Sequence, residues 1–189
     1  MEKRTLQEIA EIRSGMNLQI QNNGDVYYLQ IKDINNDGTS LRNDTALVKL
    51  NETQKKHILL PGDILFVSKG YKHSFLLFSS ISDRPSVASA SFIIIRPDQE
   101  KILPEYLCWY MNREEILNLF NTKKFKNKMP SVNKNELIHL TVEVPGLEMQ
   151  KGIVNTLFLH RREIEIQRKL IELRKEEMNT TLIQLIRKS

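Results

Sequence analysis

Residues 147–188 read LEMQKGIVNTLFLHRREIEIQRKLIELRKEEMNTTLIQLIRK, with no proline and a single glycine, Gly152. Helix formers dominate the stretch, so one helix of roughly 40 residues and about 60 Å is expected, longer than an ordinary globular helix. Leu157, Ile164, Ile171, Met178 and Leu185 recur every seven residues, the period that keeps one seam turned toward a partner helix. A second series, Leu159, Ile166 and Leu173, falls near the opposite side, because two residues turn a helix by about 200°. The positions three beyond the first seam are His160, Gln167, Arg174 and Thr181, all polar, so this is not a uniform leucine zipper. A coiled coil, between chains or within one, satisfies the pattern, and so does one helix of a bundle.

Working back from this helix, Pro145-Gly146 punctuates the chain and closes a strand over residues 140–144. Ahead of it, Asn133 and Glu136 have the spacing of a helix cap before Leu137. Pro104 opens a helical region in which Tyr106, Leu107, Trp109 and Tyr110, then Ile116, Leu117 and Phe120, recur at helical spacing, predicting two helices. Earlier still come short β-rich runs at residues 26–31, 46–50, 64–67, 75–78 and 91–95, each bounded by Gly, Asn, Asp, Pro or Ser. At the start, Thr5 and Glu8 form a capping-box pair ahead of Ile9 and Ile12, predicting a short helix there, with loop over residues 14–25. The expected fold is α+β: a globular, mixed-sheet domain over residues 1–146, then the long helix over 147–189.

The bulk composition agrees with one such domain. A chain of 189 residues with 40% hydrophobic and 27% charged residues supports one core of about 100–150 residues and an appended element. No apolar run nears the roughly 18 residues that span a bilayer, and the first residues lead into no signal-peptide core, so a cytoplasmic protein without membrane contact is expected. The single cysteine, Cys108, forms neither an internal disulfide nor a cysteine zinc site and is expected to pack. With 7 glycines the chain has no phosphate-cradling loop. His57, His73, His139 and His160 lack metal-ligand spacing. Asp98 and Glu100 follow Pro97 without the acid-x-lysine of a metal-dependent nuclease, so they read as turn residues, and no catalytic residue is assigned.

A net charge of +5 makes polyanions a plausible partner class, since clustered cations gain by releasing counterions from a phosphate backbone. Residues 122–134 carry five lysines, no acid and an interleaved Phe125. Lys123, Lys124, Lys126 and Lys128 are candidates for phosphates, and Asn127 or Asn133 for base edges. Residues 61–73 read as a turn, a strand and a basic, aromatic tip in which Lys69, Tyr71, Lys72 and His73 could meet phosphate and base. Arg84, before Pro85, and Arg42 are further loop cations. A solvated surface loop is the bland reading of each segment.

The order of these segments resembles Type I restriction-modification specificity subunits over the whole chain. The resemblance is carried by Leu6 to Gly15, by Leu60-Pro61-Gly62-Asp63-Ile64-Leu65, by Leu103-Pro104-Glu105-Tyr106-Leu107 and by the run from Val144 to Val154. The most telling piece is Pro145, Leu147, Glu148, Gln150 and Ile153, which in that family marks the junction of recognition domain and spacer helix. The resemblance implies a target recognition domain that binds no cofactor, catalyses nothing and reads part of a bipartite double-stranded DNA site. It implies DNA methyltransferase (modification) subunits that methylate adenine with S-adenosylmethionine, and restriction subunits that translocate and cleave with ATP, as partners. Family members usually hold two recognition domains and two spacer helices, and this sequence has one of each. It would act as a half subunit that forms a homodimer through Leu157, Ile164, Ile171, Met178 and Leu185, as partner to another half, or as a remnant. Two readings from other classes compete: a coiled-coil protein-interaction adapter whose basic surface is incidental, and a small nuclease or methyltransferase.

Overall fold

A computed structural model describes residues 2–34, 45–70, 73–79, 84–121 and 131–188. Packing divides the chain into a globular unit, Met1–Gln150, and a helical unit, Lys151–Ser189. The break falls just past Gly146, because the first turn of the long helix packs with the globular unit.

The globular unit is built on three small sheets rather than one. The largest is antiparallel, ordered β2(Ala10–Ser14), β8(Phe92–Pro97), β5(Ile64–Val67), β6(Phe75–Leu77). Its two inner strands are buried along nearly their whole length, which is why they read as unbroken apolar runs and not as alternation. One face of β5 and β8 gives Leu65, Val67, Phe92 and Ile94 to a core shared with Leu29, Leu59, Leu76 and Phe78. Their alternate residues Ile64, Phe66, Ile93 and Ile95 are buried as well, and helix α2(Pro104–Met111) packs on β6 and β8. A second sheet, β4(Ala46–Val48), β3(Val26–Leu29), β7(Ser86–Ala88), supplies the mixed character: β3 is antiparallel to β4 and parallel to β7. In the third, β1(Glu2–Thr5) pairs antiparallel with β9(Thr141–Val144), Glu2 opposite Val144. The chain start is thereby joined to the strand that feeds the long helix.

The expected cap at Thr5 is present: helix α1 spans Leu6–Ile9, with the Glu8 carboxylate accepting from the Thr5 backbone at 2.6 Å. These bonds hold Glu8 below the usual carboxylate pKa, the Thr5 hydroxyl contributing most. Ile12, however, does not continue the helix. Ala10 is extended (φ −154°, ψ 147°) and Ile12 pairs with Ile95 in β2. Pairing with the central strand overrides helical spacing here. Helices α2, α3(Glu114–Asn121) and α4(Lys134–Ile138) lie where expected, and the Asn133 side chain accepts from the Glu136 backbone N–H at 3.0 Å. The final helix, α5, runs Leu147–Lys188, 42 residues.

Gln150 accounts for the junction motif. It is fully buried, its Oε1 accepting from the Leu103 N–H at 2.8 Å and its Nε2 donating to the carbonyls of Pro145 (2.8 Å) and Lys101 (3.1 Å). One amide thus ties the start of α5 to the turn that precedes α2. A hydrophobe there would take the side-chain partner from three backbone groups, the buried Pro145 carbonyl among them.

Candidate nucleic-acid interface

The hairpin β5–β6 carries one of the two basic segments, and its base is set rigidly. Pro61 and Gly62 form a tight turn in which the Asp63 N–H donates to the Leu60 carbonyl at 3.0 Å and Gly62 sits at φ +94°, a conformation that favours glycine. Asp63, 1% exposed, accepts a fork of two 2.7 Å bonds from Arg96 of β8 and a third from the Leu60 N–H at 2.8 Å. Arg96 also donates to the Ile58 carbonyl at 3.2 Å, and its pKa is raised above the ordinary guanidinium value chiefly by the bond to Asp63. The Leu60-Pro61-Gly62-Asp63 motif therefore locks β5 to β8 at the end opposite the basic tip.

At the other end the hairpin stops pairing with itself. Phe66 stands opposite Phe75 and the Val67 N–H donates to the Ser74 carbonyl at 3.0 Å. Beyond that point the bonds lie on the β8 side of the strand. The Ser68 N–H and hydroxyl both donate to the Ser91 carbonyl, at 3.0 and 2.9 Å. The Ser68 carbonyl accepts from the Val132 N–H at 2.9 Å, and Lys69 forms an antiparallel bridge with Ser131. Gly70, at φ +120°, opens the tip. Phe120, near the end of α3, packs its ring 5.2 Å from Phe66 and 6.3 Å from both His73 and Phe75. Phe120 thus rests on Phe66, His73 and Phe75, and Ser131 pairs with Lys69.

The expected contact residues fall into three groups. Lys69 is exposed beside Ser131. Arg84 is exposed on the approach to β7, its guanidinium 6.0 Å from the Tyr27 ring centre. Tyr71, Lys72, Lys123, Lys124, Lys126, Asn127, Lys128 and Arg42 lie outside the described residues. His73 is 4% exposed, stacked on Phe66 at 5.6 Å with Nδ1 2.8 Å from the Val67 carbonyl. Its burial and its stacking on Phe66 make it a packing residue. The residues that join the two segments, Ser68, Ser131 and Val132, escaped sequence reading. Their contribution is backbone pairing, which leaves no trace in side-chain type.

A separate open cavity of about 550 Å³ lies by Arg4, Lys101, Pro145, Leu147 and Met149. Its cations are engaged, Arg4 with Glu2 and Lys101 with Asp98, each at 2.8 Å. Along α5 the seam is open to solvent: Ile171 is 53% exposed, Met178 61% and Leu185 60%, while Leu157 and Ile164 are half-buried.

An α+β unit followed by a long helix is thus the class that this architecture defines. Residues 1–174 match the family described as Type I restriction modification DNA specificity domain, and the chain belongs to that family. A Methanocaldococcus jannaschii protein with the curated name "Putative type I restriction enzyme MjaX specificity subunit" is 29% identical over 106 residues, 54% of this chain and 25% of that protein. Among solved structures, the HsdS subunit from Thermoanaerobacter tengcongensis superposes with a TM-score of 0.59 at 16% identity, covering 86% of this chain and 37% of that one. The S subunit from M. genitalium gives 0.57 at 16%, over 93% and 42%. A chain from a study of assembly and conformational transition of the type I R-M system gives 0.62 at 21%, over 93% and 46%. These identities establish a shared fold. The chain spans a quarter of the curated relative and less than half of each of these solved chains. Among the described residues, no helix is long and apolar enough to cross a membrane.

Proposed function

We propose that this chain is a non-catalytic DNA-recognition unit of a Type I restriction-modification system, reading one half of a bipartite duplex site. It directs adenine-methylating modification subunits, and the restriction subunits that join them, to that site. Family membership supports this function, and the observation that carries it is the Lys69–Ser131 pairing with the Val132–Ser68 bond. That pairing sets exposed Lys69 beside Ser131; in this reading Lys69, Lys72, Lys123, Lys124, Lys126 and Lys128 supply phosphate contacts, and Tyr71 and Asn127 read bases. Arg84 is a more remote candidate. His73 is left out of the contact set because it is buried.

The chain further acts as an antiparallel homodimer through α5. Its seam is self-complementary about Ile171: Ile164 would face Met178 of the second copy and Leu157 would face Leu185. Two identical readers in opposite senses would require an interrupted palindrome as the DNA site.

Duplex binding measured against salt tests the DNA reading. Affinity should fall steeply with salt, and Lys124→Ala with Lys126→Ala should weaken binding to all sequences alike and flatten the slope by about one unit per lost phosphate contact. An unchanged slope would remove these lysines from the interface, and salt-independent binding would favour the adapter reading.

A further inference from the structure

The cations of α5 are of two kinds. Arg162 and Lys169 each hold an acid three residues on, Glu165 at 3.1 Å and Glu172 at 3.7 Å. Arg168 and Lys175 are exposed, and neither has an ion pair among the described residues. Position separates the two kinds. Arg168 and Lys175 lie four residues past Ile164 and Ile171, about 40° round the helix, so they flank the apolar seam on one side. Arg162 and Lys169 lie five past Leu157 and Ile164, about 140° away from it.

In an antiparallel pair centred on Ile171, the two-fold axis stands perpendicular to the plane of the two helices. It returns each face of the pair to itself, so like flank meets like. Arg168 then stands level with Lys175 of the second copy, offset by about 1.5 Å along the helix. The cations Arg168 and Lys175 of both copies thus collect on one face at the axis, where they repel. The acids turned toward that face, Glu165 and Glu172, are already engaged by Arg162 and Lys169. A coiled coil shaped for pairing alone sets opposite charges across its flanks, and this seam does the reverse.

We infer that this face binds phosphate, and that it takes the unread spacer of the bipartite DNA site, with Arg168 and Lys175 of both copies on the DNA backbone. This rests on the homodimeric DNA-recognition function proposed above. Symmetry gives the place: an isologous dimer on an interrupted palindrome shares its two-fold axis with the DNA, so the centre of the spacer lies on that axis. A spacer whose bases are not read offers its phosphates, and clustered cations gain from them by counterion release.

The charges make two predictions of opposite sign for Arg168→Gln with Lys175→Gln, a change between good helix formers at exposed positions. Without DNA, the dimer of the full chain should tighten by about threefold at low salt in sedimentation equilibrium, because repulsion is removed. Duplex binding should weaken all the same, its salt slope flattening by about one unit per lost phosphate contact. A DNA-free dimer no tighter than wild type would mean that the cations bridge acids of the second copy, and would overturn the inference, as would an unchanged salt slope. Location is tested on a duplex enriched by the wild-type chain from a randomised pool, with neutral methylphosphonates at the middle of the spacer or outside the half-sites. The central replacement should cost the wild type about tenfold and the variant nothing further, while the outer replacement should cost both alike. Equal central losses in a dimer that selects a palindrome would overturn this inference alone. A wild-type chain that is monomeric at tens of micromolar, or that selects no palindrome, would defeat the homodimer and this inference with it.

Discussion

The two units of this chain treat their apolar residues in opposite ways. In the globular unit Leu6, Leu65, Phe66, Phe92, Ile95 and Leu107 are fully buried, each such burial stabilising the fold by about 1.5–3 kcal/mol relative to exposure. In α5 beyond Gln150, large apolar residues from Phe158 to Ile186, half-buried Ile164 apart, stand between 46% and 75% exposed. The polar chemistry differs in the same sense. The globular unit invests in buried, specific bonds, such as Asp63 with Arg96 and Gln150 with three backbone groups. The helix has exposed neighbour pairs such as Arg162 with Glu165 at 3.1 Å and Lys169 with Glu172 at 3.7 Å, each worth only about 0.2–0.5 kcal/mol. Helix formation and helix burial are therefore separate problems. Local propensity settles the first, and the apolar seam of this helix leaves the second to another helix, which the proposed function assigns to a second copy.

The largest expected effect breaks that contrast at the helix. Ile164→Asp with Ile171→Asp would place carboxylates in the seam at a cost of several kcal/mol, enough to yield monomers in light scattering at tens of micromolar. A wild-type chain already monomeric there, or a double variant still dimeric, would assign the seam to another partner. The globular unit should melt unchanged in the variant.

Next in size, and confined to the globular unit, is Arg96→Met. It strands the Asp63 carboxylate, 1% exposed, without its cation and should cost about 3–5 kcal/mol in denaturant unfolding while leaving oligomeric state alone. A cost under about 1 kcal/mol would mean that Asp63 is sustained by its turn alone.

The smallest effect sharpens the contrast by pH. Burial, then the charges of Lys56 and Arg13, hold His57 below its ordinary pKa, so the native state binds this proton less readily than the unfolded state. Its stabilising contribution is complete above the ordinary value of about 6.5 and is lost as pH falls below it. The melting temperature of the globular unit should therefore drop between about pH 7 and pH 5, and His57→Gln should reduce the drop. An identical pH profile in the variant would exclude His57 as a source.

What sequence alone determined was whatever local chemistry dictates. Proline-free heptads specified α5, caps at Thr5 and Asn133 placed α1 and α4, and β-rich runs placed β5 and β8 as strands. The family motifs were legible too, although their physical content, a turn locked by Asp63 and a junction stapled by Gln150, was not. Strand β7, three residues long, and the polar β1 carry no strand signature of their own, and β2 was hidden by the helical spacing of Ile9 and Ile12. Tertiary pairing decided each of these, since a short or polar strand exists only because a partner accepts its backbone hydrogen bonds. The candidate interface divides in the same way. Its lysines could be read from composition, because charge is a property of residue type. That Lys69 pairs with Ser131, and that His73 is buried against Phe66 and Phe120 rather than on the surface, was decided by the fold, since both follow from contacts between residues far apart in the chain.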